Sequence, residues 1–135
     1  MILYLSETAH AMECMLEQES EDKVERAIYY LSKKMLDYET HYTPLEKACL
    51  ALVWATRKLR HYLLAHSVML VSRLDPIKYL FEKPALTGRL ARWLLVLSEF
   101  DLKFVTRKAV NGRAVAEFLA DHPGEGDEAV QYLFP

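Results

Sequence analysis

The sequence of 135 residues has only two cysteines and four glycines, and these shortages exclude several kinds of site. Cys14 and Cys49 stand too far apart for zinc-site spacing and form no disulfide framework, so we interpret both as reduced core thiols. Four glycines do not supply the loops that hold phosphates or dinucleotides. No apolar run could span a bilayer, and residues 1–5 lack the charged flank of a signal peptide. We therefore expect an intracellular protein with no membrane partner.

The five histidines are too scattered to predict a metal site. They are His10, His41, His61, His66 and His122. None pairs with another at the three- or four-residue spacing of helical metal ligands. We interpret them as surface or loop residues, although His122 could take the place of a flexible catalytic histidine.

The composition otherwise suits one ordinary globular domain, with 52% hydrophobic and 27% charged residues. The net charge is −2, but the charge is unevenly distributed. Residues 44–113 hold 13 Lys and Arg against 5 Asp and Glu, whereas the two ends are acidic. This basic middle permits contact with a polyanion over part of the surface, and solvated helix faces would explain it equally well.

Hydrophobic periodicity divides the chain into strands and helices. Strands are predicted at 2–5, 10–18, 24–32, 67–72 and 102–106. Helices are predicted at 44–64, 76–81, 86–97 and 113–120, with turns at 17–23 and 111–112 and a polar connection at 33–42. A three-stranded meander followed by a strand–helix–strand crossover predicts a mixed α/β fold, in which helices pack on a five-stranded mixed sheet.

The helix predicted at 44–64 has the clearest local signals. Thr43 can cap it, Pro44 suits its first position, and Glu46 at the third position completes a capping box. Its apolar residues recur at positions 45, 48, 49, 52, 55 and 59, on one face of a 3.6-residue period. Capping alone can therefore explain Glu46, and Leu52 is expected to face the sheet.

Several strings, taken in order, resemble the RNase H-like domain of gypsy-type retrotransposon polyproteins, particularly those of plants. They occur at 3–5 with Ala11, 27–32 (AIYYLS), 42–62, 86–93 (LTGRLARW), 97–104 and 112–120. The resemblance implies an RNase H-like fold over residues 1–121, with truncation at the N-terminus left open. The proline, glycines and acidic residues of 122–128 break the pattern of strands and helices, which predicts a linker or tail over 122–135. The resemblance also implies polymerase and integrase parts of a longer polyprotein as partners.

In that family four carboxylates hold two Mg²⁺ ions, which serve to hydrolyse the RNA strand of an RNA–DNA hybrid. Glu46 and Glu117 match two of these positions. Ser6 occupies the position of the Asp that ends the first strand, and a hydroxyl substitutes poorly for a bridging carboxylate. Arg73 occupies the Asp position after the fourth strand, where a cation opposes metal binding. We expect a remnant site in which Arg73 lies between Glu46 and Glu117.

These replacements predict a catalytically degenerate domain with a structural or hybrid-binding role, in which Mg²⁺ is not bound. One alternative is an active metal-dependent endoribonuclease on RNA–DNA hybrids, in which Glu7 or Asp75 compensates. Asp75 is better explained as a helix cap, because it immediately precedes Pro76. The other alternative is a protein-interaction module with no nucleic-acid role.

Contact with a hybrid or duplex is expected to be weak and to use basic side chains on phosphates and 2′-hydroxyls. The candidates are Arg89, Arg92, Arg107, Lys108 and Arg113. Trp54 and Trp93 fall in apolar helical patterns, so we interpret both as core residues rather than platforms for base stacking.

Overall fold

The computed structural model describes residues 1–19, 25–82, 88–105 and 129–132. The strands are β1 (Ile2–Glu7), β2 (Ala11–Glu19), β3 (Glu25–Lys34), β4 (Val68–Val71), β5 (Leu102–Val105) and β6 (Ala129–Tyr132). The helices are α1 (Pro44–Lys58), α2 (Arg60–Leu64), α3 (Pro76–Glu82) and α4 (Gly88–Leu97), with a 3₁₀ helix at Asp37–His41. None of the helices in these ranges is long and apolar enough to cross a membrane. The predicted turn at 111–112 and helix at 113–120 lie outside the described residues.

The strands form one mixed sheet in the order β5-β4-β1-β2-β3-β6. β1, β2 and β3 make an antiparallel meander, whereas β4 runs parallel to both β1 and β5. The expected mixed sheet with helices packed on it is confirmed. A sixth strand, β6, pairs with β3 inside the segment 122–135, for which the sequence predicts a linker or tail. Its four residues are too few to be recognised as a strand without knowing that β3 offers an open edge.

The helix predicted at 44–64 is divided at Leu59. The φ of −108° and ψ of 21° at this residue leave the helical region, so α1 ends and α2 begins there. The change of direction brings both Leu59 and Leu63 into the core, where they are 4% and 0% exposed. Periodicity does not reveal the break, because the apolar pattern continues across it.

Alternation along the strands gives the sheet two apolar faces. Leu3 and Leu5 belong to the larger core, which includes buried residues of α1 and α4. Ile2 and Tyr4 belong to a smaller cluster on the opposite face. α1 packs on β1 and β2 and also contacts α3 and α4. Leu52 of α1 is 0% exposed in the larger core, which confirms its expected orientation toward the sheet.

The parallel pairing of β1 and β4 determines where the candidate site lies. Because β1 and β4 are parallel, their carboxyl ends lie at the same end of the sheet, and so do Ser6 and Arg73. α1 begins at this end as well, since Lys47 Nζ donates a hydrogen bond to the Ala9 carbonyl in the β1–β2 turn at 3.2 Å. The fold therefore brings Ser6, Glu46 and Arg73, three of the four positions expected from the resemblance, to one end of the sheet.

Candidate functional site

Glu46 lies in the first turn of α1 and uses both of its carboxylate oxygens. Oε1 accepts a hydrogen bond from the Thr43 backbone N–H at 3.1 Å, and the Glu46 N–H donates to Thr43 Oγ1 at 3.2 Å. The predicted capping box is therefore confirmed. Oε2 accepts a hydrogen bond from Arg89 Nη2 of α4 at 2.6 Å. Glu46 thus caps its own helix and forms an ion pair with another.

Arg89 lies over two aromatic rings as well as beside Glu46. Its guanidinium carbon is 4.3 Å from the centre of the Tyr42 ring and 5.3 Å from that of Trp93. The two rings meet edge to face, with centroids 6.1 Å apart. Cation–π attraction and the charge-assisted hydrogen bond both favour this placement of the guanidinium. The Arg89 and Glu46 side chains are 39% and 18% exposed, so water screens the pair only in part.

The ionisation states of this cluster follow from the same contacts. Burial acts to raise the pKa of Glu46, but the hydrogen bonds from Thr43 and the charge of Arg89 outweigh it and leave the pKa below its usual range. Burial also raises the pKa of Tyr42, against the opposing effect of Arg89. At neutral pH the guanidinium therefore faces a carboxylate anion and a neutral phenol.

Ser6 and Arg73, at the two positions without a carboxylate, make no pair with Glu46. Alternation places Ser6 on the sheet face of Ile2, directly across from Glu13 in β2. Arg73 is exposed after β4. The cation on Glu46 is Arg89 and not, as expected, Arg73, because α4 packs against α1 and brings its first turn to that carboxylate.

Three carboxylates lie near the buried thiol of Cys49 in α1. Burial is the main reason why the pKa of this thiol rises to about 12, and the negative charges of Glu46, Glu7 and Asp75 add to the effect. The Cys49 Sγ donates a weak hydrogen bond to the carbonyl of Pro76 at 3.6 Å, which joins α1 to the start of α3. Glu7 and Asp75, the two residues that replace the missing carboxylates in the alternative of an active enzyme, are therefore on the α1 side of the sheet.

Asp75 caps α3, as its position before a proline predicts. Its Oδ1 accepts hydrogen bonds from the backbone N–H groups of Ile77 and Lys78, each at 3.1 Å. In the described ranges, no three His, Cys, Asp or Glu side chains are grouped so that they could hold a metal ion.

The candidate residues for nucleic-acid contact differ in their surroundings. Arg92 is exposed on α4, whereas Arg89 of the same helix is engaged with Glu46 and two rings. The candidates Arg107, Lys108 and Arg113 lie outside the described residues, as does Glu117, which is expected to be a remnant metal-site carboxylate. Contact of these side chains with nucleic acid remains a prediction.

The aromatic support of Arg89 is the feature that the sequence analysis missed. Trp54 and Trp93 are 6% and 7% exposed, which confirms both as core residues. Arg89 and Trp93 are four residues apart on one helix and therefore share a face, so their spacing was a usable signal. The contribution of Tyr42 had no local signal, because it precedes α1 and meets α4 only in the folded chain.

Comparison with known proteins identifies the family. Residues 1–100 match the model of the RNase H-like domain found in reverse transcriptase. Over 76 residues, 56% of the chain, the sequence is 37% identical to the retrovirus-related Pol polyprotein from transposon 297 of Drosophila melanogaster. Over 114 residues, 84% of the chain, it is 25% identical to the Pol polyprotein from transposon opus of the same species. The chain spans only 7% and 11% of the lengths of these two relatives.

Solved structures of the foamy viral protease-reverse transcriptase share the fold. The complex with an RNA/DNA hybrid matches with a TM-score of 0.62, and the complex with dsDNA with 0.64. Each match covers 81% of this chain at 21% identity, and covers 15% and 23% of the viral chains respectively. Because the family model covers most of the sequence, the chain belongs to the family of RNase H-like domains found in reverse transcriptases.

Proposed function

We propose that this chain is the RNase H-like domain of a gypsy-type, plant-like retrotransposon polyprotein that no longer cleaves hybrids and keeps a structural or hybrid-binding role. The observation that carries this proposal is the state of Glu46. Among the described residues at family metal positions it alone is acidic, and Arg89 pairs with it at 2.6 Å. Ser6 and Arg73, at the other two described positions, supply no carboxylate.

The family generally uses Mg²⁺, and the described residues do not fit that ion. Mg²⁺ requires oxygen ligands in near-octahedral geometry, usually with one or two carboxylates. The two oxygens of Glu46 instead face N–H donors of Thr43 and Arg89. Ser6 lies on the opposite sheet face from α1, and Arg73 adds positive charge. A two-metal hydrolytic site is therefore not assembled from these groups.

The proposed remaining role is support of a neighbouring polymerase, with weak contact to a hybrid or duplex. The foamy viral relatives of this fold are described in complex with an RNA/DNA hybrid and with dsDNA. Exposed Arg92 supplies one positive charge at the surface, and Arg107, Lys108 and Arg113 are further candidates. Contacts to phosphates alone give binding that ignores base sequence and weakens as salt rises. Polymerase and integrase parts of the parent polyprotein are the proposed protein partners.

One observation favours an active endoribonuclease as the second candidate. The pKa of the Cys49 thiol is raised by the negative charges of Glu7, Glu46 and Asp75, so these three carboxylates lie at one end of the sheet. Glu7 and Asp75 could then replace the carboxylates absent at Ser6 and Arg73. The α3 cap made by Asp75 and the ion pair made by Glu46 weigh against this candidate.

A labelled RNA–DNA hybrid distinguishes these functions. The purified chain and its Glu46→Gln variant are incubated with the hybrid in Mg²⁺ or Mn²⁺, and binding is measured over a series of salt concentrations. We expect no metal-dependent cleavage by either protein and weak binding that falls as salt rises. Metal-dependent cleavage that Glu46→Gln abolishes would contradict the proposal and support the active enzyme. Absence of binding at low salt would instead favour the protein-interaction module.

A further inference from the structure

We infer that Arg89 is a resident cation that takes the place of a divalent metal at Glu46 and positions α4 against the start of α1. The inference rests on the proposed loss of the metal site. It assigns Arg89 a role inside the protein, which differs from the contact with nucleic acid that its charge suggests.

The charge of Glu46 requires compensation. Its side chain is 18% exposed, and a carboxylate so far removed from water needs a compensating charge or several hydrogen bonds. Thr43 provides only a neutral N–H. The hydrogen bond from Arg89 at 2.6 Å is the one contact in the described ranges that brings a positive charge to this carboxylate.

Arg89 is held in place by one ion pair and two aromatic rings. Its Nε is buried and has no hydrogen-bond partner among the described residues. The guanidinium therefore depends on Glu46 for its charge pairing and on the faces of Tyr42 and Trp93 for the rest of its surroundings. These three partners come from α1, from the residue before its cap and from α4 itself. The cluster thus fastens the two helices at the end of the sheet where the family positions lie.

Substitutions at Arg89 can separate the effect of its charge from that of ordinary packing. The long apolar stem of an arginine can stabilise a protein without its charge. Arg89→Met retains an apolar stem and removes the charge, whereas Arg89→Lys retains the charge and loses the planar fork that matches a carboxylate. Arg92→Met is the matched control, because Arg92 is exposed on the same helix three residues later.

A double-mutant cycle tests the pairing by denaturant unfolding of the full chain. We expect Arg89→Met to raise the unfolding equilibrium constant about threefold to tenfold more in the unmodified background than in Glu46→Gln. Arg89→Lys should recover part of this difference. Arg92→Met should have the same small effect in both backgrounds. Equal effects of Arg89→Met in the two backgrounds would overturn the inference, since packing alone would cause the loss. If Arg89→Met does not fold, Arg89→Lys and Glu46→Gln complete the cycle.

Thermal melts with millimolar MgCl₂ test whether Arg89 takes the place of a metal. We expect Mg²⁺ to raise the Tm of Arg89→Met more than that of the unmodified chain, because Glu46 then lacks its guanidinium. Adding Glu46→Gln to Arg89→Met should abolish the increase. Equal Mg²⁺ responses of Arg89→Met and the unmodified chain, including no response in either, would overturn the inference. Cleavage of the hybrid by the unmodified chain would instead overturn the proposed function, so the two failures are distinguishable.

Discussion

At the scale of single residues, the proposed replacement of an aspartate by Ser6 fits the neighbouring strand, where Glu13 lies opposite. Ser6 pairs in register with Glu13, which is 2% exposed and accepts a hydrogen bond from the Tyr30 hydroxyl at 3.0 Å. Burial and the neighbouring Glu13 raise the pKa of Tyr30, so its hydroxyl stays a donor. An aspartate at position 6 would face this buried carboxylate and be repelled by it. A neutral serine suits that position better in the absence of metal.

Leu52 provides a residue-scale prediction for the packing of α1. Leu52→Ala should cost about 2–5 kcal/mol of unfolding free energy, because the side chain is fully buried and its removal leaves a cavity. Leu95→Ala is the matched control, since Leu95 is 71% exposed, and it should change stability by less than about 0.5 kcal/mol. Denaturant unfolding measures both. A loss below about 0.5 kcal/mol for Leu52→Ala would mean that the buried face of α1 is misassigned.

At the scale of elements, local signals predicted where helices begin. They did not predict where the long helix is interrupted or where the last short strand forms. The caps at Thr43 and Asp75 were predictable because each depends on residues within three positions. The break at Leu59 was not, because the apolar period runs through it. β6 was not predictable either, since a strand of four residues is specified by the edge it joins more than by its own sequence.

The cap of α3 provides an element-scale prediction. Asp75→Ala should destabilise the protein by about 0.5–2 kcal/mol, because two N–H groups of a helix of only seven residues lose their acceptor. Asp75→Asn should lose much less unfolding free energy, since asparagine caps helices nearly as well as aspartate. Unfolding by urea compares the two variants. Equal losses would show that the carboxylate charge matters beyond capping, as expected for the alternative in which Asp75 holds metal.

At the scale of the whole molecule, the order and spacing of strings along the chain predicted the family and the fold. They could not predict which cation reaches Glu46. Arg89 and Glu46 are 43 positions apart, and their contact depends on how α4 packs on α1. Arg73 was the expected partner because the family pattern puts it beside Glu46. The family resemblance singled out Glu46 as a remaining carboxylate, whereas only tertiary packing identified its partner.

Calorimetric titration of Mg²⁺ into the full chain tests the central claim most directly. The unmodified chain should show no binding at millimolar concentration, because Arg89 neutralises Glu46 and two family positions lack carboxylates. Arg89→Met is the control, because Glu46 then lacks its guanidinium: it should respond to Mg²⁺ more than the unmodified chain, and adding Glu46→Gln should remove that response. Tight Mg²⁺ binding by the unmodified chain that is lost in Glu46→Gln would contradict the account.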